Sequence, residues 1–241
     1  MKKLFPILAG LTAIFLIYAT YRALEVAPTD ALQGDVYRII YYHVPSAWTA
    51  FLLFLINFVA SVVYLIRRND NADVLALVSA EVGVVFCTVV LVTGPIWARP
   101  VWGIWWAPGD IRLTSTLVLW LIYVSYLVLR RFSSSAQTQV LAAALAVFGA
   151  LDVPLVYFSI WFFRTQHPQP VIGGGGSMDP RMLHTLLLSW MAFLCFAFLV
   201  CWSRYRLEQL KRQVEKTEAM ESLVGADAVG KASLPLSRSS R

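Results

Sequence analysis

Charged side chains are scarce in this sequence. Asp, Glu, Lys and Arg together make up 14% of the 241 residues, whereas hydrophobic residues make up 59%. A typical soluble domain has about 25% charged and about 45–50% apolar residues. So few polar side chains cannot cover the surface of a soluble globule of this length, which excludes that class. The composition therefore predicts an integral membrane protein.

Cysteine is also rare, and its placement excludes several kinds of chemistry. Cys87, Cys195 and Cys201 are the three cysteines, and none of them forms a CxxC or CxxCH pattern. Thiol redox chemistry, a thiolate metal site and covalent cofactor attachment therefore lack support. Free cysteine behaves as a small hydrophobic residue, so we interpret all three as apolar positions within helices.

Six apolar runs have the length that a bilayer requires. A spanning helix needs about 20 mostly apolar residues, and these runs are too long and continuous for barrel strands. The fold class predicted is all-α, a bundle of six transmembrane helices within residues 1–202. No large soluble catalytic domain fits beside it, so we do not expect an enzyme. The predicted spans are 4–21, 48–66, 74–97, 113–129, 139–163 and 182–202.

Basic residues predict the orientation of the bundle. Lys2 and Lys3 precede the first span, and the short connections after spans two and four contain the pairs 67–68 and 130–131, which are all arginine. Cytoplasmic loops have an excess of Lys and Arg, so we expect both termini in the cytoplasm. The tail, 203–241, is expected to begin as a charged helical extension and to be partly disordered. The net charge of +6 thus reflects membrane topology, and we expect no nucleic-acid binding.

Tryptophan is concentrated in one connection on the predicted outer side. Four of the nine tryptophans fall between Trp97 and Trp106, in a proline- and glycine-containing segment, 97–115, that we expect to lie along the membrane surface. Tryptophan is enriched at membrane interfaces, so an aromatic belt is one interpretation, although a belt predicts one or two tryptophans per helix end. The other interpretation is a flat aromatic platform for a large planar, amphipathic ligand, with Asp110 and Arg112 at its edge.

Histidine is limited to three residues, all on the predicted outer side. His43 precedes span two, and His184 lies near the beginning of span six. Either histidine alone fits a structural hydrogen bond. Together, at the mouths of two helices beside the tryptophan segment, they suit axial ligation of a planar iron tetrapyrrole. His167, which precedes a hinge-like glycine run at 173–176, is interpreted as a loop or supporting residue.

Zinc binding is a weaker hypothesis for these histidines, because no acidic or thiolate ligand stands at zinc spacing. Two carboxylates, Glu81 and Asp152, fall within predicted spans. Buried carboxylates in a membrane are costly, so both are expected to face the bundle interior and to have partners. Two interpretations of these carboxylates remain open: a structural contact, or a place in a transport path. Pro154 predicts a kink beside Asp152.

The motifs together resemble a known family. Residues 91–106 (LVTGPIWARPVWGIWW), followed by 110–115 (DIRLTS), look like the tryptophan-rich WWD motif of the haem-handling proteins of cytochrome c maturation. The Arg-Leu-Thr-Ser ending is similar to the CcmC branch, haem exporter protein C. The resemblance covers about residues 36–202. Residues 42–48 and 183–184 resemble the family's two haem-ligand histidine motifs, and 153–154, 158–159 and 166–167 resemble its fifth-span region.

One departure from the family pattern lies in the tryptophan motif. The family usually reads Trp-Trp-x-Trp-Asp, whereas Trp106-Ala-Pro-Gly-Asp110 lacks the last tryptophan and is one residue longer. A turn at Pro108-Gly109 would absorb the additional residue.

The resemblance implies that the protein binds haem non-covalently (b-type) and transiently at the outer face of the bacterial inner membrane. It would present the haem to a periplasmic haem chaperone (CcmE-like). Further implied partners are ABC transporter subunits and a small single-span subunit of the cytochrome c maturation complex, with membrane lipid around the spans. The implied iron ligands are His43 and His184, and the other implied binding residues are Trp102, Trp105, Trp106, Asp110 and Arg112.

Three other functions compete with this interpretation. A b-type electron-transfer cytochrome of the membrane would generally place its histidines within the spans and often hold two haems. A six-helix permease subunit suits Glu81 and Asp152 but does not account for the tryptophan segment. A complete haem lyase would be longer and richer in histidine than this chain.

Overall fold

The computed structural model describes residues 4–133, 135–163, 165–170 and 178–232. This part of the chain is helical, and its longest helices correspond to the six predicted spans, all long and apolar enough to cross a membrane. The all-α, six-span prediction is therefore confirmed. The α-helices are α1 Leu4–Tyr21, α2 Ile40–Arg67, α3 Asp70–Trp102, α4 Ile111–Phe132, α5 Ala136–Ala150, α6 Asp152–Phe162 and α7 Pro180–Ala232. The glycine run at 173–176 and residues 233–241 of the tail lie outside the described residues.

Helix α3 extends further into the tryptophan segment than the sequence predicts. It continues through Pro95 and Pro100 to Trp102, although proline removes one helical hydrogen bond at each position. The helix ends at Gly103, whose φ of 77° is left-handed and whose N–H bonds to the carbonyl of Arg99. Glycine adopts this conformation without a Cβ penalty, so it is the usual residue just beyond a helix end. The helix thus continues five residues beyond the predicted end of the third span at residue 97, into the segment 97–115 that is expected from the sequence to lie along the membrane surface.

The fifth predicted span consists of two helices. Helix α5 ends at Ala150 and α6 begins at Asp152, with Leu151 between them. Pro154 explains the position of the break, because its ring nitrogen cannot donate to the carbonyl of Ala150 and its ring crowds that carbonyl. The predicted interruption is confirmed, and the outer half of the span is a separate helix, α6.

Close packing of α2 on α3 forms the centre of the bundle. Phe54 is fully buried and stacks on Tyr123 of α4, with ring centroids 3.9 Å apart and planes 9° from parallel. Gly83 of α3 makes this approach possible, because a Cβ at that position would lie 2.7 Å from Cε1 of Phe54. Small residues at helix contacts are typical of membrane bundles, where helices associate through close packing.

Ion pairs join α3, α4 and α7 at the end of the bundle away from the tryptophans. The buried carboxylate of Asp73 accepts hydrogen bonds from both Arg130 and Arg212. Glu81 accepts two from Arg204, at 2.8 and 2.9 Å, so its expected partner is confirmed. Asp152 differs, since its Oδ2 is buried without a hydrogen-bond partner among the described residues.

Candidate functional site

A large cavity lies at the tryptophan end of the bundle, and we call it the chamber. Its volume is about 800 Å³, within the range of about 300–1,000 Å³ that is typical of ligand sites. Helices α2, α3, α4 and α6 supply most of its walls. The rest of the lining comes from residues 167–170 and from Tyr37, Ile39, Trp106 and Trp190. The wall is predominantly apolar, so it suits a large hydrophobic ligand with few polar groups.

The tryptophans divide between the chamber wall and the surface. Trp97, Trp102 and Trp106 line the chamber, and Trp97 packs edge-on against Trp102 at a centroid distance of 5.0 Å. The indole Nε1 of Trp97 donates to Gln33 at 2.8 Å, which fixes the ring against the 27–39 connection. Trp105 is 60% exposed and lies outside the lining, so the aromatic wall does not include it.

His43 enters the chamber from α2, and its tautomer follows from its hydrogen bonds. Nδ1 lies 2.8 Å from the hydroxyl oxygen of Thr93 on α3. Thr93 donates its single hydroxyl proton to the carbonyl of Val89, 2.7 Å away, so its oxygen accepts from His43. The proton of His43 therefore lies on Nδ1, and Nε2 keeps its lone pair. A metal-ligating histidine usually has this pattern, with one nitrogen bonded to the protein and the other free to bind.

His167 enters the same chamber from the connection that precedes α7. Its Nδ1 lies 3.0 Å from the carbonyl oxygen of Pro168, which can only accept, so here too the proton is on Nδ1 and the lone pair on Nε2. Burial, together with the nearby charge of Arg112, lowers the pKa of His167 to about 4. The imidazole is therefore neutral at neutral pH, as a metal ligand must be.

The two imidazoles have a separation that fits one metal between them. The ring centroids of His43 and His167 are 6.4 Å apart. A metal–imidazole bond is about 2 Å, and a ring nitrogen lies about 1 Å from its ring centre, so two opposed ligands have centres about 6 Å apart. The two imidazoles and the separation of their ring centroids are therefore compatible with one iron between them.

His184 occupies a different environment from the one expected. It is exposed on the surface of α7 and does not belong to the chamber lining. Met182, Thr185 and Leu186 are the buried positions of this turn. His184 lies about 200° around the helix from Met182 and from Leu186, and about 100° from Thr185. The described structure therefore brings His43 together with His167, and it does not bring His43 together with His184.

Arg112 and Asp110 have separate roles although both stand at the beginning of α4. Arg112 lines the chamber, and its Nη1 is buried without a hydrogen-bond partner in the described parts of the chain. Such a guanidinium can accept an anionic partner, and its fork matches a carboxylate. Asp110 is only 4% exposed and lies outside the lining; its carboxylate receives hydrogen bonds on both oxygens.

The pKa of Asp110 reflects those hydrogen bonds. Burial alone would raise this pKa, but bonds from the hydroxyl of Thr165 and the backbone N–H groups of Gln166 and Leu113 outweigh burial and lower it. The carboxylate is therefore ionised. The turn that precedes it is the one expected from the longer motif, since the N–H of Asp110 bonds to the carbonyl of Ala107 at 3.0 Å around Pro108 and Gly109.

Sequence reasoning gave His167 only a loop or supporting role and did not name Thr93, whereas the structure brings both beside His43. One signal for His167 was present, because Gln166-His167 lies in a segment that resembles the family. The position of His184 at a helix mouth favours His184 on sequence grounds. For Thr93 there was no signal, since a threonine inside an apolar helix has no distinguishing pattern.

Fold and site together define a class, multi-span α-helical membrane proteins with an internal ligand chamber at one end of the bundle. Residues 1–220 match the family CcmC, heme exporter protein C. The chain belongs to this family.

Curated relatives agree with the family match. Heme exporter protein C of Bradyrhizobium diazoefficiens is 34% identical over 223 residues, covering 91% of this chain and 84% of the relative. Heme exporter protein C of Escherichia coli is 33% identical, with coverages of 83% and 82%. A Marchantia polymorpha protein named for cytochrome c biosynthesis, a ccmC-like mitochondrial protein, is 34% identical, with coverages of 78% and 80%.

Proposed function

We propose that this protein holds haem in the chamber and delivers it for the maturation of c-type cytochromes. The observation that carries the proposal is the pair of imidazoles, His43 and His167, with ring centroids 6.4 Å apart in an apolar chamber of about 800 Å³. Family membership supports the same role, because relatives are named heme exporter protein C and one is named for cytochrome c biosynthesis. Haem is the cargo, and it supplies an iron centre that accepts two axial nitrogens.

His43 and His167 are the iron ligands that we propose. Thr93 and the carbonyl of Pro168 hold the Nδ1 protons, so that both Nε2 lone pairs are available. Binding is non-covalent, since a bond from imidazole to iron can be exchanged for one from an acceptor protein. Reversible ligation suits a protein that passes its cargo onward.

Other chamber residues match the rest of the haem molecule. Trp102 and Trp106 provide aromatic wall for the macrocycle. Arg112 pairs with a propionate through the guanidinium nitrogen that has no partner among the described residues. Trp105, which is exposed at the rim, is available to a docking protein.

The location and partners of the protein follow from the same proposal. We place it in the bacterial inner membrane with both termini in the cytoplasm and the chamber at the periplasmic side. The exposed rim with Trp105 would then meet a periplasmic haem chaperone of the CcmE-like kind. ABC transporter subunits and a small single-span subunit would complete the cytochrome c maturation complex.

The ligand assignment can be tested with three single histidine variants. Detergent-purified protein is titrated with hemin and its absorption spectrum is recorded. His43→Ala and His167→Ala are each expected to lose the spectrum of two-imidazole ligation and at least tenfold in haem affinity, because each leaves one axial position without a protein nitrogen. The matched control is His184→Ala, because the side chain of His184 is exposed. This variant should keep both the two-imidazole spectrum and the haem affinity of the wild type.

The opposite pattern would support the ligand pair that the sequence predicts, His43 and His184. Loss of the spectrum in His184→Ala, with a normal spectrum in His167→Ala, would assign the second ligand to His184. A wild-type spectrum in all three variants would contradict histidine ligation altogether. Electron transfer between the purified protein and a quinol would favour the b-type cytochrome over a delivery protein.

A further inference from the structure

The carboxylate of Asp110 joins two parts of the chain that are far apart in sequence. Oδ1 accepts hydrogen bonds from the backbone N–H groups of Arg112 and Leu113, at 3.0 and 3.2 Å, and thereby caps α4. Oδ2 accepts from the hydroxyl of Thr165 and from the backbone N–H of Gln166, the latter at 2.9 Å. One side chain therefore fixes the beginning of a helix and a distant connection at the same time.

The connection that Asp110 holds is the one that presents His167. The hydroxyl oxygen of Thr165, itself bonded to Asp110, also accepts from the backbone N–H of His167 at 3.1 Å. Within residues 165–170, every hydrogen bond to another described part of the chain ends on Asp110. Among the described residues, Asp110 is thus the polar anchor of the segment that contains His167.

Two features separate Asp110 from the ligand itself. Its side chain is buried and absent from the chamber lining, and both of its oxygens already accept two hydrogen bonds from the protein. Hydrogen bonds to an ionised carboxylate are about twice as strong as neutral ones, so this contact is strong enough to hold a short connection in place.

We propose that Asp110 is a positioning residue, which holds His167 opposite His43 and does not itself contact the haem. The inference rests on the proposed function, because it gives His167 the role of second ligand. It differs from the expectation from sequence, in which Asp110 binds at the edge of the ligand. It predicts that loss of the Asp110 contact removes one axial ligand while the chamber remains.

Asp110→Asn separates the two roles of the carboxylate. Asparagine caps helices as well as aspartate, so its oxygen can keep the bonds to α4. Its amide nitrogen replaces the other oxygen and cannot accept from the N–H of Gln166. Thr165→Val removes the hydroxyl from the same contact. Asn69→Ala is the matched control, because Asn69 caps α3 through the same kind of bonds to Asn71 and Ala72 but lies at the other end of the bundle.

The first measurement uses haem-free protein. Hydrogen–deuterium exchange at the amide of Gln166 should be about tenfold faster in Asp110→Asn than in wild type, since a bond to a charged acceptor is lost. Exchange at this amide should be unchanged in Asn69→Ala. Unchanged exchange in Asp110→Asn would overturn the proposal whether or not haem binds.

The second measurement uses hemin as the probe. Asp110→Asn and Thr165→Val should lose the two-imidazole spectrum, and added free imidazole should restore it, as it should in His167→Ala. A merely structural role for Asp110 would give a loss that imidazole does not restore, and this result would overturn the proposal. A wild-type spectrum in Asp110→Asn, with loss in His167→Ala, would also overturn it and leave the proposed function standing. A wild-type spectrum in His167→Ala itself would overturn the ligand assignment on which the inference rests.

Discussion

Single hydrogen bonds decide which nitrogen each imidazole presents to the chamber. His43 and His184 are the same residue type on apolar helices, yet among the described residues only His43 has a hydroxyl acceptor beside its Nδ1. Thr93 can serve as that acceptor because its own proton is bonded to the carbonyl of Val89. A threonine without metal contact therefore sets the tautomer of the ligand that we propose.

Replacement of Thr93 by valine tests this contact at nearly constant volume. Without the acceptor, His43 loses the bond that orients its ring, and we expect haem affinity to fall about 10–100-fold, the usual range for such supporting residues. Titration of the purified variant with hemin measures the change. Thr88→Val is the control, because Thr88 makes the same bond to a preceding carbonyl on α3 outside the chamber. Equal affinities of the two variants would contradict the role of Thr93.

At the scale of elements, the close contact of α2 with α3 brings His43 and Thr93 together. The approach is tightest where Gly83 faces Phe54, whose ring is confined by its stack on Tyr123. The interrupted span contributes in another way, since the break at Leu151 lets α6 form a separate wall with Val153 and Tyr157 in the chamber lining. Helix contacts thus determine the shape of the chamber.

Substitution of alanine for Gly83 is expected to destabilise the bundle. Its Cβ would lie 2.7 Å from Phe54, and overpacking of this kind costs about 1–3 kcal/mol. Thermal unfolding in detergent should show a lower Tm for the variant. Gly10→Ala on α1, where no atom lies within 4 Å of the added Cβ, should keep or slightly raise the Tm because alanine has the higher helix propensity. A Tm for Gly83→Ala equal to that of Gly10→Ala would refute the packing argument.

At the scale of the whole molecule, the two ends of the bundle differ in chemistry. One end has the chamber and the tryptophan segment, 97–106. The other has the ion pairs of Asp73 and Glu81 and the long continuation of α7. Since the positive loops lie at this second end, the proposed orientation places it in the cytoplasm.

Cysteine labelling tests that orientation. In a cysteine-free background, Ile104→Cys lies in the exposed rim of the chamber end, and Ser133→Cys lies in an exposed connection at the other end. A membrane-impermeant maleimide applied from the periplasmic side should label Ile104→Cys and spare Ser133→Cys until the inner membrane is disrupted. Labelling of Ser133→Cys alone would reverse the proposed topology.

The sequence alone predicts the membrane class and the six spans, because a bilayer requires long apolar runs and such runs can be read directly from the sequence. It also predicts the break at Pro154 and the importance of His43 and the tryptophan segment. Its error at the end of α3 arises from Pro95 and Pro100, which predict a helix end, whereas the helix includes both and continues to Trp102.

Only the tertiary structure distinguishes His167 from His184. Helical phase turns His184 away from the buried face of α7, and two hydrogen bonds to Asp110 bring the segment of His167 to the chamber. The order of residues predicts neither the exposure of His184 nor the contact of Thr165 with Asp110. A contact across 55 residues depends on how whole helices pack. Hydrophobic length thus determined which class of protein forms, and long-range polar contacts decided which residues meet in its chamber.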